Sequence, residues 1–502
     1  MLATLAQAEP NQVDIARKAL SEAIGAGQFD LALSLARQIP SAQLSSDARL
    51  LLVADEVRHH RLDRATGWLA IKGDTGDLSF LAPLISAWDA ADRGRADLAL
   101  AAIDQIPATS LLAPLSAEQQ ALILLKFKRT AEAEPFARRA IGTADAREDR
   151  LRLAFADGFL AAGDKARALM VLDGMGGGAT AARARIEAGK ASGQAIDSLP
   201  KALSDALTGF GADLTRLQRA APPIGLIQVA RYADPQNSGA TALLAILLDR
   251  QDRTQEALAL LGTVDRNDAL ISDVRDVQVR MLVDEKRVNE AYQIAAAATA
   301  SPTADIDDFS RIGEVYAAMK RNDLAADAYG RAIAMATAQG LKANLWTFYL
   351  LQASALEDAD RWPETKAALN QGLAISPDQP LLLNFLGYAK LERGEDIDSA
   401  EAMIRKASEL APDDASITDS LGWAQFKRGK VADAITTLQH AAEKDPGQAE
   451  IQEHLGDALF KSGRRYEARY AWNAALITAE DDMASRVKAK LVSGLTTANA
   501  AP

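Results

Sequence analysis

One short pattern recurs three times between Pro380 and Leu476: Leu386-Gly387-Tyr388-Ala389, Leu421-Gly422-Trp423-Ala424 and Leu455-Gly456-Asp457-Ala458. A second glycine follows the first of each copy by seven residues, at Gly394, Gly429 and Gly463. Paired small residues come next, at Ala400/Ala407, Ala434/Ala441 and Ala468/Ala475. The period is 34 residues, with one extra residue in the first copy. A repeat this short cannot bury its own apolar face, so the chain must stack copies on one another, and length alone gives no domain count.

The register extends outward. A small residue early in the second half of each unit falls at Ala32, Ala65, Ala99, Ala133, Ala168, Ala257, Ala291, Ala325, Thr365, Ala400, Ala434 and Ala468. Glycines sit five residues ahead at Gly27, Gly94, Gly163, Gly429 and Gly463. Ala32 to Pro40 and Ala99 to Pro107 both end in Gln-Ile-Pro, and proline closes a helix there. Later units close at Pro377, Pro412 and Pro446, with Asp413 or Asp414 placed to cap the next helix. The units are therefore read as pairs of helices. Composition agrees, since apolar content is 48% but aromatics only 5%, with Ala and Leu dominating over strand formers.

The interval from Ala168 to Ala257 breaks the pattern. Leu203 to Ala220 reads as a helix, and Pro222-Pro223 opens another over Ile224 to Ala233, which restores one unit. The predicted organisation is a degenerate array over 12–173, a Gly-rich break over 174–200, a second array over 201–476 that is most regular over 380–476, and a capping helix over 477–495.

Several chemistries are disfavoured. The 502 residues carry 56 basic and 68 acidic side chains, a net charge of −12 that repels nucleic acid. Cysteine is absent, which removes disulfides, thiolate catalysis and Cys-ligated zinc. No run of 18 apolar residues exists to span a membrane. Of four histidines, His59 and His60 are adjacent and point to different faces of a helix, so no metal site is predicted. Gly174-Met175-Gly176-Gly177-Gly178-Ala179 matches a dinucleotide fingerprint in letters, but that motif works only after a strand, and here it follows a helix. Met1 to Ala8 ends in Ala-x-Ala like a signal-peptidase site yet lacks a basic n-region, so it reads as a signal stub or a frayed tail.

Leu-Gly-x-Ala followed by Gly, Ala, Ala and Pro at a 34-residue period resembles the tetratricopeptide repeat (TPR) family. Thr365 and Gly372 depart from it where alanines are usual, as do Lys390 and Gln425 where a large apolar residue is usual. The resemblance implies an all-α, right-handed superhelical solenoid of about 13 helix-turn-helix hairpins with a C-terminal capping helix. It also implies a non-enzymatic scaffold or adaptor that binds a partner protein in the concave groove of its first helices, with no cofactor. The C-terminal part further resembles alphaproteobacterial cell-envelope TPR proteins. That suggests a role in an envelope assembly or proteolysis complex on the periplasmic side, the alternative being the cytoplasm.

Projected onto that groove, Asn384, Tyr388 and Leu391, then Asp419, Trp423 and Phe426, then Glu453, Asp457 and Phe460, with His454 nearby, form one stripe. An acidic, aromatic groove would favour a basic or apolar extended segment over a C-terminal carboxylate. An aromatic stripe at helical spacing also serves as core between hairpins, so an open groove and a packed seam both stand. The competing function is an enzyme or nucleotide-binding protein with its site in 174–235.

Overall fold

The computed structural model describes residues 13–71, 76–144, 147–176, 178–217, 222–342 and 344–501; the Ala-x-Ala at 6–8 and Gly177 lie outside them. Among the described residues there are 28 α-helices and no strand. The chain divides into two compact units, 1–318 and 319–502.

The predicted register is the skeleton of both units. Each of the twelve marker positions from Ala32 to Ala468 lies in the first turn or so of a second helix and is 0% exposed. Helices there are in such close approach that only a small side chain fits. Thr365 meets the same demand by folding its hydroxyl back on the Arg361 carbonyl (3.1 Å). The glycines of the Leu-Gly motif work from the other side of the hairpin. A Cβ on Gly387 would stand 2.7 Å from Ile404, one on Gly422 2.6 Å from Leu438, and one on Gly456 2.3 Å from Trp472. The residue five before the marker, or six before it at Ala400, reverses the chain in the left-handed conformation, and that geometry holds where glycine is missing: His60, Lys128, Asp252, Lys286, Lys320 and Asp360 all have φ between 57° and 59°. Asp414 is the residue that caps, its carboxylate accepting from the Ile417 amide (3.0 Å).

In the first unit, first helices Val13–Gly25, Ser46–Arg58, Ala82–Asp92, Ser116–Lys126 and Glu148–Ala161 alternate with second helices. The stretch 174–200 lies within this unit and contains the short helix Ala179–Glu187. It is pinned by Asp157, whose carboxylate accepts from the backbone amides of Ser192, Gly193 (3.0 Å) and Gln194 (2.8 Å). Helices Leu199–Leu217 and Ile224–Ala233 then turn back across the earlier first helices. Phe210 meets Phe80 edge-on at 5.8 Å, and the Tyr232 hydroxyl donates to Asp55 (2.8 Å) across 177 residues of sequence. In the second unit, helices from Asn322–Ala338 to Arg465–Thr478 pack in sequence, and Asp481–Ser493 covers the last of them, as a capping helix should.

Two outcomes are expected from this geometry. Gly422→Ala forces Leu438 out of place and lowers stability by about 1–3 kcal/mol, read as a drop in the thermal midpoint. Lys286→Gly relieves a left-handed non-glycine residue and raises stability by about 1 kcal/mol, read as a rise in the same midpoint.

Candidate functional site

The ten stripe residues are brought together, but largely as a seam between successive first helices. Asp419, Trp423, Glu453, His454, Asp457 and Leu391 are buried, while Asn384, Tyr388, Phe426 and Phe460 are half-buried. On Ala415–Lys427 and Ala449–Lys461, the Trp423 ring stacks on His454 at 4.0 Å and on Phe426 at 4.9 Å. His454 Nδ1 lies 2.8 Å from Asp419 Oδ2. Burial pulls the imidazole down, yet the Asp419 carboxylate, with Glu450 and Asp457, more than offsets it and holds His454 above its ordinary value.

The carboxylates of the last repeat are taken up by the capping segment. Lys490, fully buried, donates to Glu453 (2.6 Å) and Asp457 (2.7 Å), and Arg486 grips both oxygens of Glu453 at 2.8 and 2.7 Å. Trp472 Nε1 and the Ala501 amide complete the shell of Asp457 at 2.9 and 3.2 Å. The basic segment that the stripe's acidity called for is thus supplied by the chain itself. The sequence signal existed, since Arg486 and Lys490 are spaced one turn apart on the helix predicted as a cap.

An open concavity lies instead in the first unit, which sequence reasoning did not single out. It encloses about 580 Å3 and is walled by Glu148–Ala161, Leu199–Leu217, Ser238–Asp249, Ile271–Asp284 and Ile306–Ala318. Its floor is apolar at Ala242, Leu243, Ile246, Val274 and Val277. The rim carries carboxylates Asp149, Asp205, Asp273, Asp276, Asp307 and Glu314 against four arginines, Arg147, Arg150, Arg280 and Arg311. Those arginines are committed: Arg147 to Glu118 (2.9 Å), Arg150 to Asp205, Arg280 to Asp276 and Arg311 to Asp308 (2.8 Å). Asp273, Asp307 and Glu314 have no ion-pair partner among the described residues.

The imbalance shows in their protonation. Asp273 is exposed at the rim, yet the protein packed around it, with repulsion from Asp149, Asp307 and Asp276, pushes its carboxyl up to about 7. Asp307 is pushed up to about 6, by burial first and then by Asp305. Burial also raises Asp149 and Glu314. Among the described residues no group of three or more His, Cys, Asp or Glu is arranged to hold a metal ion.

The Gly-rich segment borders this region. The Gly176 amide points at Asp149 (3.2 Å) and the Gly178 amide donates to Asp305 (2.7 Å). Amides that would cradle a phosphate are therefore occupied by carboxylates, which repel one. His59 bonds the Asp55 carbonyl (2.7 Å), and His60 is a left-handed turn residue.

Stacked helical hairpins with a concave face of first helices define a class of repeat proteins whose work is contact with other macromolecules. Residues 386–449 and 420–484 match the tetratricopeptide repeat family, so the stretch opened by Leu386 is a run of tetratricopeptide repeats. That family supports a protein-interaction scaffold in general, a type that is typically non-enzymatic. No curated protein matches the chain. Among solved structures, the Cut9–Hcn1 hetero-tetramer of APC/C aligns over 99% of this chain and 98% of that one, at 14% identity and a TM-score of 0.40. Yeast Tom70 aligns over 83% and 95% at 11% identity and 0.43. A tetratricopeptide repeat protein from Parabacteroides merdae aligns over 51% and 98% at 12% identity and 0.41. At these values nothing about function passes from those proteins to this one.

A folded-state pKa above the unfolded value means that the charged His454–Asp419 pair adds stability at low pH, and that this contribution is lost as pH rises through the folded value. NMR titration of the His454 ring is expected to give a midpoint above 6.5, and Asp419→Asn to bring it down.

Proposed function

We propose that this protein is a scaffold that holds a cationic, otherwise apolar segment of a partner protein in the concavity of its first unit. The carrying observation is the pairing of an apolar floor with the unpartnered carboxylates Asp273, Asp307 and Glu314 at the rim. Such a wall supports a ligand that places alkyl or aromatic groups on Leu243, Ile246, Val274 and Val277 and an ammonium or guanidinium at the rim. An organic cation fits this reading better than a metal ion, since no metal-holding group is present among the described residues. An acidic or phosphorylated segment would meet repulsion from the same groups.

The acidity of the rim gives the reading a pH signature. Asp273 and Asp307 must be ionised to attract a cation, so affinity is full above pH about 7 and is lost as they take up protons through about 7 and about 6. Fluorescence anisotropy with the full chain would use two labelled decapeptides of equal apolar content, one carrying Lys and Arg and the other Asp and Glu. The cationic peptide is expected to bind at pH 8, to weaken at least fivefold by pH 5.5, and to weaken at pH 8 in Asp273→Asn/Asp307→Asn. Preference for the acidic peptide, or indifference to the double substitution, would sink the assignment.

A further inference from the structure

Among the described residues, the four most exposed large apolar side chains all sit at the C-terminal end: Val492 at 89%, Tyr466 at 85%, Ile477 at 82% and Tyr470 at 77%. Three of them lie on the helix Arg465–Thr478, whose other face buries Ala468, Ala471, Trp472 and Ala475. Tyr466, Tyr470, Asn473 and Ile477 are spaced by four, three and four, the alternation of a two-heptad coiled-coil seam. Val492 adjoins it, because the carbonyl of its neighbour Leu491 accepts from Arg469 (2.6 Å).

We propose that this face pairs with the same face of a second copy of the chain, the two Arg465–Thr478 helices running antiparallel. A spacing of four, three and four reads the same in both directions, so an antiparallel copy sets Tyr466 against Ile477 and Tyr470 against Asn473 across a two-fold axis. The Asn473 amide nitrogen donates within its own helix to the Arg469 carbonyl (2.7 Å), and its oxygen remains to accept from the facing Tyr470 hydroxyl. Antiparallel, Glu467 faces Ala474 of the other copy on one flank and Arg469 faces Leu476 on the other, whereas a parallel pair would bring Arg469, and not Glu467, beside Ala474. Two tyrosines, Ile477 and Val492 offer roughly 600 Å2 per copy, so about 1,200 Å2 in total, the lower end of what a stable interface buries. The dimer is accordingly a weak one, and it does not depend on the concavity of the first unit.

Sedimentation equilibrium of the full chain from 1 to 100 µM tests it. A monomer–dimer equilibrium is expected in that range, shifted at least tenfold toward monomer by Tyr470→Glu, whose exposed position leaves the fold intact by circular dichroism. The natural absence of cysteine allows a second measurement. Glu467→Cys and Ala474→Cys chains should form a disulfide when mixed and little when oxidised alone. A chain still monomeric at 100 µM, whatever else the patch binds, overturns the proposal. So does a dimer indifferent to Tyr470→Glu, or efficient self-linking of the Glu467→Cys chain.

Discussion

Within the hairpins of the register, the two helices meet at one recurring contact, a small residue near the start of the second helix. Twelve such positions, from Ala32 to Ala468, have no exposed surface at all. Dispersion and burial reward that closeness, but only where no side chain intervenes. From it follow the packing of Leu438 over Gly422 and Trp472 over Gly456, and the narrow left-handed reversal five or six residues ahead of the marker. Departures from the usual residues are absorbed without loss of geometry. Thr365 turns its hydroxyl onto its own helix, and Lys128 or Lys286 accepts the left-handed backbone that glycine takes elsewhere.

A stack built this way generates faces that need covering, and in each unit the chain covers part of its own. In the first, Leu199–Leu217 and Ile224–Ala233 lie across the early first helices, with Tyr232 bonded to Asp55 and Phe210 against Phe80. In the second, Lys490 and Arg486 neutralise Glu453 and Asp457 at the end of the array. Buried carboxylates without such partners are costly, which is why these cations are themselves buried or half-buried. In the first unit's concavity Asp205 and Asp276 are paired with Arg150 and Arg280, whereas Asp273, Asp307 and Glu314 have no ion-pair partner among the described residues.

Periodicity was the readable part of this molecule. Small residues at intervals of about 34 can be recognised one position at a time, because each is required by a local approach between helices that are neighbours in sequence. Even there, the reversal at His60 or Asp252 was hidden, since glycine is the visible sign of a left-handed residue and these positions lack it. The stripe from Asn384 to Phe460 is likewise a matter of spacing, which puts its members on one face. Whether it was open or closed depended on Lys490 and His454 arriving from neighbouring helices.

The sequence alone therefore determined the helical hairpins, their register and the capping helix, all of which rest on contacts between residues within one or two repeats. Only the tertiary structure decided which polar groups were spent. Asp149 comes from a helix far along the chain from those of Asp273 and Asp307, and in each of the three, desolvation first and then neighbouring carboxylates raise the pKa. Asp273 and Asp307 stand one 34-residue period apart, but no spacing rule ties Asp149 to them. Electrostatic energy depends on distance in space and on exclusion of water, and both are set by how the hairpins curve around the cavity.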